Sequence, residues 1–187
     1  MRIKVLCQVA SAAMAAVLLG ALPAFAAAPV SIEAVWMPRH VTFVYQGFTT
    51  HYSCGGLRDK IRQMLAKLGA RDLKVREQGC IRAGGVEPFP GVRVTMQVLV
   101  PASSKHGKAM GPAVRAHWQN VVLMPSDASI EEEGNCELIE QFKETFLPLF
   151  STRDIRYQSN CIPHQLTLGT HLSAEVLMPE AEPARGR

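Results

Sequence analysis

Apolar positions between Pro29 and Pro179 recur in two rhythms, one of period two and one of helical period, and their order runs the same way twice. The β-branched and aromatic run Val41-Thr-Phe-Val-Tyr45 predicts a strand. Leu57, Ile61, Met64, Leu65 and Leu68 then fall on one face of a helix, with Ser53 as its N-cap and Gly69 as its stop. A short strand, Leu73 to Glu77, follows. A Gly- and Pro-rich excursion from Ala83 to Gly91 leads to a last strand, where Val92, Val94, Met96, Val98 and Val100 alternate with Arg93, Thr95 and Gln97. Such alternation predicts one buried and one wetter face.

The same order returns downstream. A strand is expected over His117 to Met124, then a helix capped by Asn135 with Leu138, Ile139, Phe142, Phe146 and Phe150 on its apolar face. Pro148 should end or kink that helix, because it cannot donate the interior hydrogen bond. Strands at Ile155 to Gln158 and Leu172 to Pro179 complete the second pass.

Shifting the chain by about 82 residues brings Trp36 onto Trp118, Cys54 onto Cys136, Leu65 onto Leu147 and Arg71-Asp72 onto Arg153-Asp154. One deletion later Cys80 meets Cys161, and Val94 to Pro101 meets Leu172 to Pro179. The reading is an internal duplication of one strand–helix–strand–strand unit. The expected fold class is α+β: two tandem disulfide-stapled β-α-β-β units at 29–101 and 114–179, forming mixed sheet with one helix per unit on one side. A polar linker, 102–113, joins them, and a tail at 180–187 has nothing to pack and should be disordered.

Pairing of the cysteines follows from that geometry. Cys54 opens the first helix and Cys80 closes the strand that runs back against it, so both lie at one end of the unit. Cys136 and Cys161 repeat the arrangement, which selects Cys54–Cys80 and Cys136–Cys161 from the three connectivities open to four cysteines. Each bridge would close a loop worth roughly 3–4 kcal/mol of chain entropy.

An oxidising compartment agrees with the N-terminus. Arg2 and Lys4, an apolar run from Ala12 to Leu22, the breaker Pro23 and Ala24-Phe25-Ala26 have the order of a secretory signal peptide at 1–26. The apolar stretch is about 11 residues, short of the roughly 20 a spanning helix needs. Cys7 would leave with it. No transmembrane segment is expected in the mature chain.

The formal charge of +4 drops to about +2 without Arg2 and Lys4, too little to demand a polyanion. Its distribution says more. From Pro29 to Met110 there are 12 Lys/Arg and 5 Asp/Glu; from Gly111 to Arg187 there are 6 and 11. The basic set Arg58, Lys60, Arg62, Lys67, Arg71, Lys74 and Arg76 could meet an anion, with an ordinary solvated helix face as the plainer reading. Aromatic interleaving is poor, and nucleic acid is not expected as a partner.

Candidate chemistry is sparse. His51 lies three before Cys54 and His164 three after Cys161, but bridged thiols are not ligands, so no metal or cofactor is expected. The methionines read as packing. No G-x-S-x-G elbow is present, and no catalytic residue stands out. Glu131-Glu132-Glu133 reads as solvated charge near a helix start. Both Arg-Asp pairs are expected in helix-to-strand turns, where Asp accepts backbone N–H groups, and both tryptophans in the core.

Taken together, His51-Tyr-Ser-Cys54, Leu68-Gly-Ala-Arg71, Val92 to Pro101 and Asn160-Cys-Ile-Pro-His-Gln165 resemble a group of small secreted proteins of Gram-negative bacteria. That group has no assigned activity, so the resemblance implies a periplasmic home and transfers no site residues. The expectation is a non-catalytic periplasmic or secreted binding module acting on a protein partner or an anionic surface polymer, through a sheet face or an edge strand. The alternative is a periplasmic hydrolase with a carboxylate or histidine site in the groove between the units.

Overall fold

A computed structural model describes residues 30–81, 85–104, 109–123, 136–162 and 170–180. The expected signal peptide, the centre of the linker, the glutamate run, Asn135, His164 and the tail beyond Glu180 lie outside the described residues. The elements, in chain order, are β1 (Ile32–Val44), α1 (Cys54–Lys67), β2 (Arg71–Gln78), β3 (Gly91–Pro101), β4 (Met110–Leu123), α2 (Cys136–Thr145), β5 (Thr152–Gln158) and β6 (His171–Pro179), with a 3-10 turn at Leu147–Leu149.

The α+β class holds, but the sheet is not mixed. Six strands form one sheet in the order β2-β3-β1-β4-β6-β5, and all five pairings are antiparallel. A β-α-β connection would leave β2 parallel to β1 if the two were neighbours. Instead β3 enters between them and pairs antiparallel with both, and β6 does the same between β4 and β5. Reading outward from the β1/β4 junction, the two halves follow the same strand order.

The local signals explain the elements. Ser53 accepts from the Gly56 N–H at 3.1 Å, capping α1. Gly69 takes φ +78° beyond its end, and a Cβ there would also strike the Met178 sulfur. The helix α2 closes at Thr145 and Pro148 falls in the 3-10 turn, as expected of a proline stop, but Phe146 and Phe150, expected on the helix face, lie beyond it as the caps of that turn. Strand β1 begins nine residues before the expected Val41, and β4 seven before His117. Their N-terminal parts pair with each other from Ile32–Ala116 to Trp36–Met110. Pro38 lies just past that pairing, where a residue without an N–H suits a strand partnered on one side.

Valines and methionine of β3 (Val92, Val94, Met96, Val98, Val100) are all buried with Leu57, Ile61, Met64 and Leu65 of α1, with Leu138, Ile139 and Phe142 of α2, and with Phe146 just beyond it, in one core. Phe146 stacks on Phe142 at 4.9 Å between centroids and meets Phe43 edge-on at 5.3 Å. A smaller cluster occupies the opposite side of the sheet: Ala34, Trp36, Leu99, Ala116 and Leu177, with Trp118 half-buried against it. The ends of β3 and β6 approach within 8 Å between Cα atoms although two strands lie between them, so the sheet curls across its centre. Disulfides join Cys54 to Cys80 and Cys136 to Cys161, with Cα separations of 6.2 and 5.6 Å. No described helix is long and apolar enough to cross a membrane.

The Arg-Asp pairs are not in the turns. Arg71-Asp72 and Arg153-Asp154 sit inside β2 and β5, where the register with the neighbouring strand slips between Arg71 and Lys74 and again between Arg153 and Arg156. Both aspartates adopt φ 49°, a left-handed conformation that Asp tolerates better than most residues, and each forms a bulge. The preceding arginines lie over the tryptophans: Arg71 at 5.4 Å from the Trp36 ring, Arg153 at 4.5 Å from the Trp118 ring.

Candidate binding face

Alternation along β3 places Arg93, Thr95 and Gln97 on the side of the sheet away from the helices. The β2 bulge keeps Lys74 and Arg76 on that same side, while Val75 points to the core. In register, Arg76 stands directly opposite Arg93, and Lys74 opposite Thr95. From β1, His40 lies opposite Thr95 and its Nδ1 is 3.2 Å from the Thr95 hydroxyl. Four basic side chains thus share one open patch on β2, β3 and β1. No ion pair involves Lys74, Arg76 or Arg93 among the described residues.

The basic set expected from sequence therefore divides in two. On α1, Arg58 donates to Asp59 at 2.8 Å and to Glu77 at 2.7 Å, and Arg62 reaches Asp59 at 2.8 Å. Hydrogen bonding from Arg58 holds the Asp59 carboxyl below its usual value. On the helix Arg58 and Arg62 have acidic partners; on the strands Lys74, Arg76 and Arg93 have none among the described residues. Arg93 and His40 joined the patch unannounced, because only the strand register brings them beside Lys74 and Arg76.

Shallow clefts open at both bulges. One of about 580 Å³ is lined by Pro38, His40, Asp72, Lys74, Thr95 and Gln97, among others. Its counterpart in the second half, about 380 Å³, is lined by Asn120, Asp154, Arg156, His171, Ser173 and Glu175, with Val122. There Arg153 is paired with Glu175. A third cleft, about 900 Å³, lies at the junction of the halves between Trp36, Arg71, Val114, Arg115, Met178 and Glu180. Its carboxylate, Glu180, is 3.3 Å from Arg115.

One buried carboxylate was not foreseen. Glu137, at the start of α2, accepts from the Tyr45 hydroxyl at 3.2 Å, the Phe48 and Thr49 N–H groups at 3.0 and 3.1 Å, and the Thr49 hydroxyl at 3.1 Å. Gln141 adds two bonds to the Gln46 backbone. Burial, with Tyr52 and Glu137 nearby, pushes the Tyr45 phenol far above its ordinary value, so it stays protonated and donating. The acid is a clamp: it fixes the loop after β1 to the helix of the other half. Nothing local marks it, since a glutamate in a first helical turn is ordinary.

His51 is exposed and Cys54 is bridged, so they share no ligand geometry. Among the described residues no three His, Cys, Asp or Glu side chains are grouped to hold a metal ion. Met37, Met64, Met96 and Met178 are in the core, while Met110 is half exposed. No family model, characterised protein or solved structure matches the chain.

Proposed function

We infer that this protein is a non-catalytic binding module of the periplasm or of the secreted fraction, that its two halves descend from a duplicated β-α-β-β unit, and that its open β2-β3-β1 face takes an anionic partner. The observation carrying the binding claim is Arg76 set across from Arg93 with Lys74 and His40 beside them. Like charges directly opposite in a sheet are destabilising. The second half keeps the same registers with Gln158 opposite His171 and Arg156 opposite Ser173. The architecture therefore does not require the paired arginines, and a bound anion gives them a use.

Several features support a face over an edge as the docking surface. Both edge strands, β2 and β5, are bulged and carry exposed arginines, which discourages strand addition. Two disulfides fit an oxidising, extracytoplasmic compartment. For the hydrolase alternative, the described lining of the junction cleft offers Glu180, already paired, and neither a second carboxylate nor a histidine.

Retention on a dextran sulfate column tests the reading. The protein should be held at low salt and elute as salt rises, since surface charge contacts are screened. Arg76→Gln with Arg93→Gln should weaken binding at least fivefold, and Arg156→Gln in the other half less than twofold. Failure of the unaltered protein to bind at low salt would end the proposal.

A further inference from the structure

The described residues include nine exposed large apolar side chains, and five of them, Val44, Phe48, Ile81, Val86 and Phe89, fall at one end of the first half. There β1 and β2 finish and β3 begins, because Val44 and Gln78 both stand opposite Gly91. Phe48 and Phe89 are 64% and 65% exposed, and Ile81 is 91% exposed. Single exposed apolar residues are ordinary, but a group of this kind marks a contact surface.

These tips stand on anchored backbone. Glu137 holds the Phe48 and Thr49 N–H groups, Val86 bridges to Ser53, the Tyr45 N–H bonds Pro90, and Ile81 follows the Cys80 bridge while its N–H bonds buried Glu87. A loop collapsing to hide its apolar groups would not be pinned with them facing outward. Two residues down the sheet from this rim lie Arg76 and Arg93, and Lys74 is two beyond. Among the described residues, the acids near this rim are engaged or to one side: Glu137 is buried and holds the Phe48 loop, Glu77 pairs with Arg58, Glu87 is buried, and Glu144 flanks Thr42 and Val44 from α2.

We propose that this end of the molecule docks on an anionic bilayer surface, with Phe48, Ile81, Val86 and Phe89 entering the headgroup region and Arg76, Arg93 and Lys74 resting on lipid phosphates. This deepens the anion-binding reading above and rests on it. Apolar tips beside cations with no ion pair among the described residues are the combination that holds a protein at a charged interface: burial supplies one part of the affinity and attraction to anionic headgroups the other. The second half has Gln158 and His171 where the first has its arginines, so docking has one orientation.

The experiment is co-sedimentation with vesicles of phosphatidylglycerol and phosphatidylcholine in equal parts, against pure phosphatidylcholine, with dextran sulfate retention as the parallel arm. Expected is at least tenfold stronger partition to the anionic vesicles. Phe48→Ser with Phe89→Ser should lower that partition at least tenfold while leaving dextran sulfate retention within twofold; Arg76→Gln with Arg93→Gln should weaken both. The tips are solvent-exposed, so an unchanged thermal midpoint should accompany the serine variant. No adsorption to anionic vesicles alongside normal polymer retention overturns the membrane proposal and leaves the binding face standing. Loss of both arms in the unaltered protein overturns both. Full vesicle partition by the serine variant, or a solution dimer that buries Phe48 and Phe89, also overturns it.

Discussion

In the half built from β1, α1, β2 and β3, Arg76 faces Arg93; in the half built from β4, α2, β5 and β6, the corresponding pair is Gln158 and His171. Backbone features match closely between the two: an aspartate at φ 49°, an arginine over a tryptophan, a disulfide spanning 26 or 25 residues. The helices do not match. α1 lies close against β2 and β3, whereas α2 and the turn after it reach into the first half, with Phe146 meeting Phe43 edge-on and Glu137 clamping the loop after β1. The difference separates what the sheet needs from what it merely carries. Register, bulge and stacked ring recur because the backbone demands them; charge and helix docking vary because the sheet tolerates alternatives.

The largest test of that comparison is in the helices. Phe146→Ala should cost about 3–5 kcal/mol and Met64→Ala, its counterpart in α1, about 2–3 kcal/mol, since both are fully buried but Phe146 also joins the halves. Denaturant unfolding would read the two; a reversed order would mean α2 is not the tie between halves. Replacing both cysteines of either disulfide by serine should cost roughly 3–4 kcal/mol, alike for Cys54–Cys80 and Cys136–Cys161 because their loops are alike. Unequal thermal midpoints of the two double variants would show that the staples do different work.

Glu137→Leu should cost about 2–3 kcal/mol, because it strands two backbone donors and a phenol that the buried carboxylate satisfies. Hydrogen exchange at Phe48 and Thr49 should speed up in that variant; unchanged protection would dismiss the clamp. A smaller effect concerns acid. Asp59 has a lowered folded value, so its contribution is full above the ordinary carboxylate range and fades as pH falls through the lowered one. Both partners are largely exposed to screening solvent, so the effect is small. Asp59→Asn should slightly flatten the acid side of the stability profile, and an unchanged profile would leave the pair without energetic weight. Smallest of all, Asp72→Gly and Asp154→Gly should each raise stability by on the order of 0.5 kcal/mol by relieving the left-handed backbone. Opposite signs in the two halves would break the match between the bulges.

Much of the fold was legible along the chain. Ser53, Gly69 and Pro148 act through neighbouring backbone atoms, so their roles as cap, stop and terminator need no tertiary information. The alternation from Val92 to Val100 reports a buried face because side chains on a strand point to opposite sides whatever the neighbours are. The candidate face was half legible: Lys74 and Arg76 stood out as basic, but were grouped with Arg58 and Arg62, which belong to a different surface and have their own acids.

The cap and stop of α1, the alternation along β3 and the placement of the cysteines are short-range matters, decided by periodicity and by residues a few positions apart, and the chain alone determined them. Neighbour relations across the sheet are long-range. That β3 enters between β1 and β2, that Arg93 lands opposite Arg76, and that Glu137 reaches Phe48 from 89 positions away were settled only by tertiary packing. The physical reason is that one pattern of alternating residues is compatible with several strand orders, and the order is chosen by burying two amphipathic helices and two sheet faces at once.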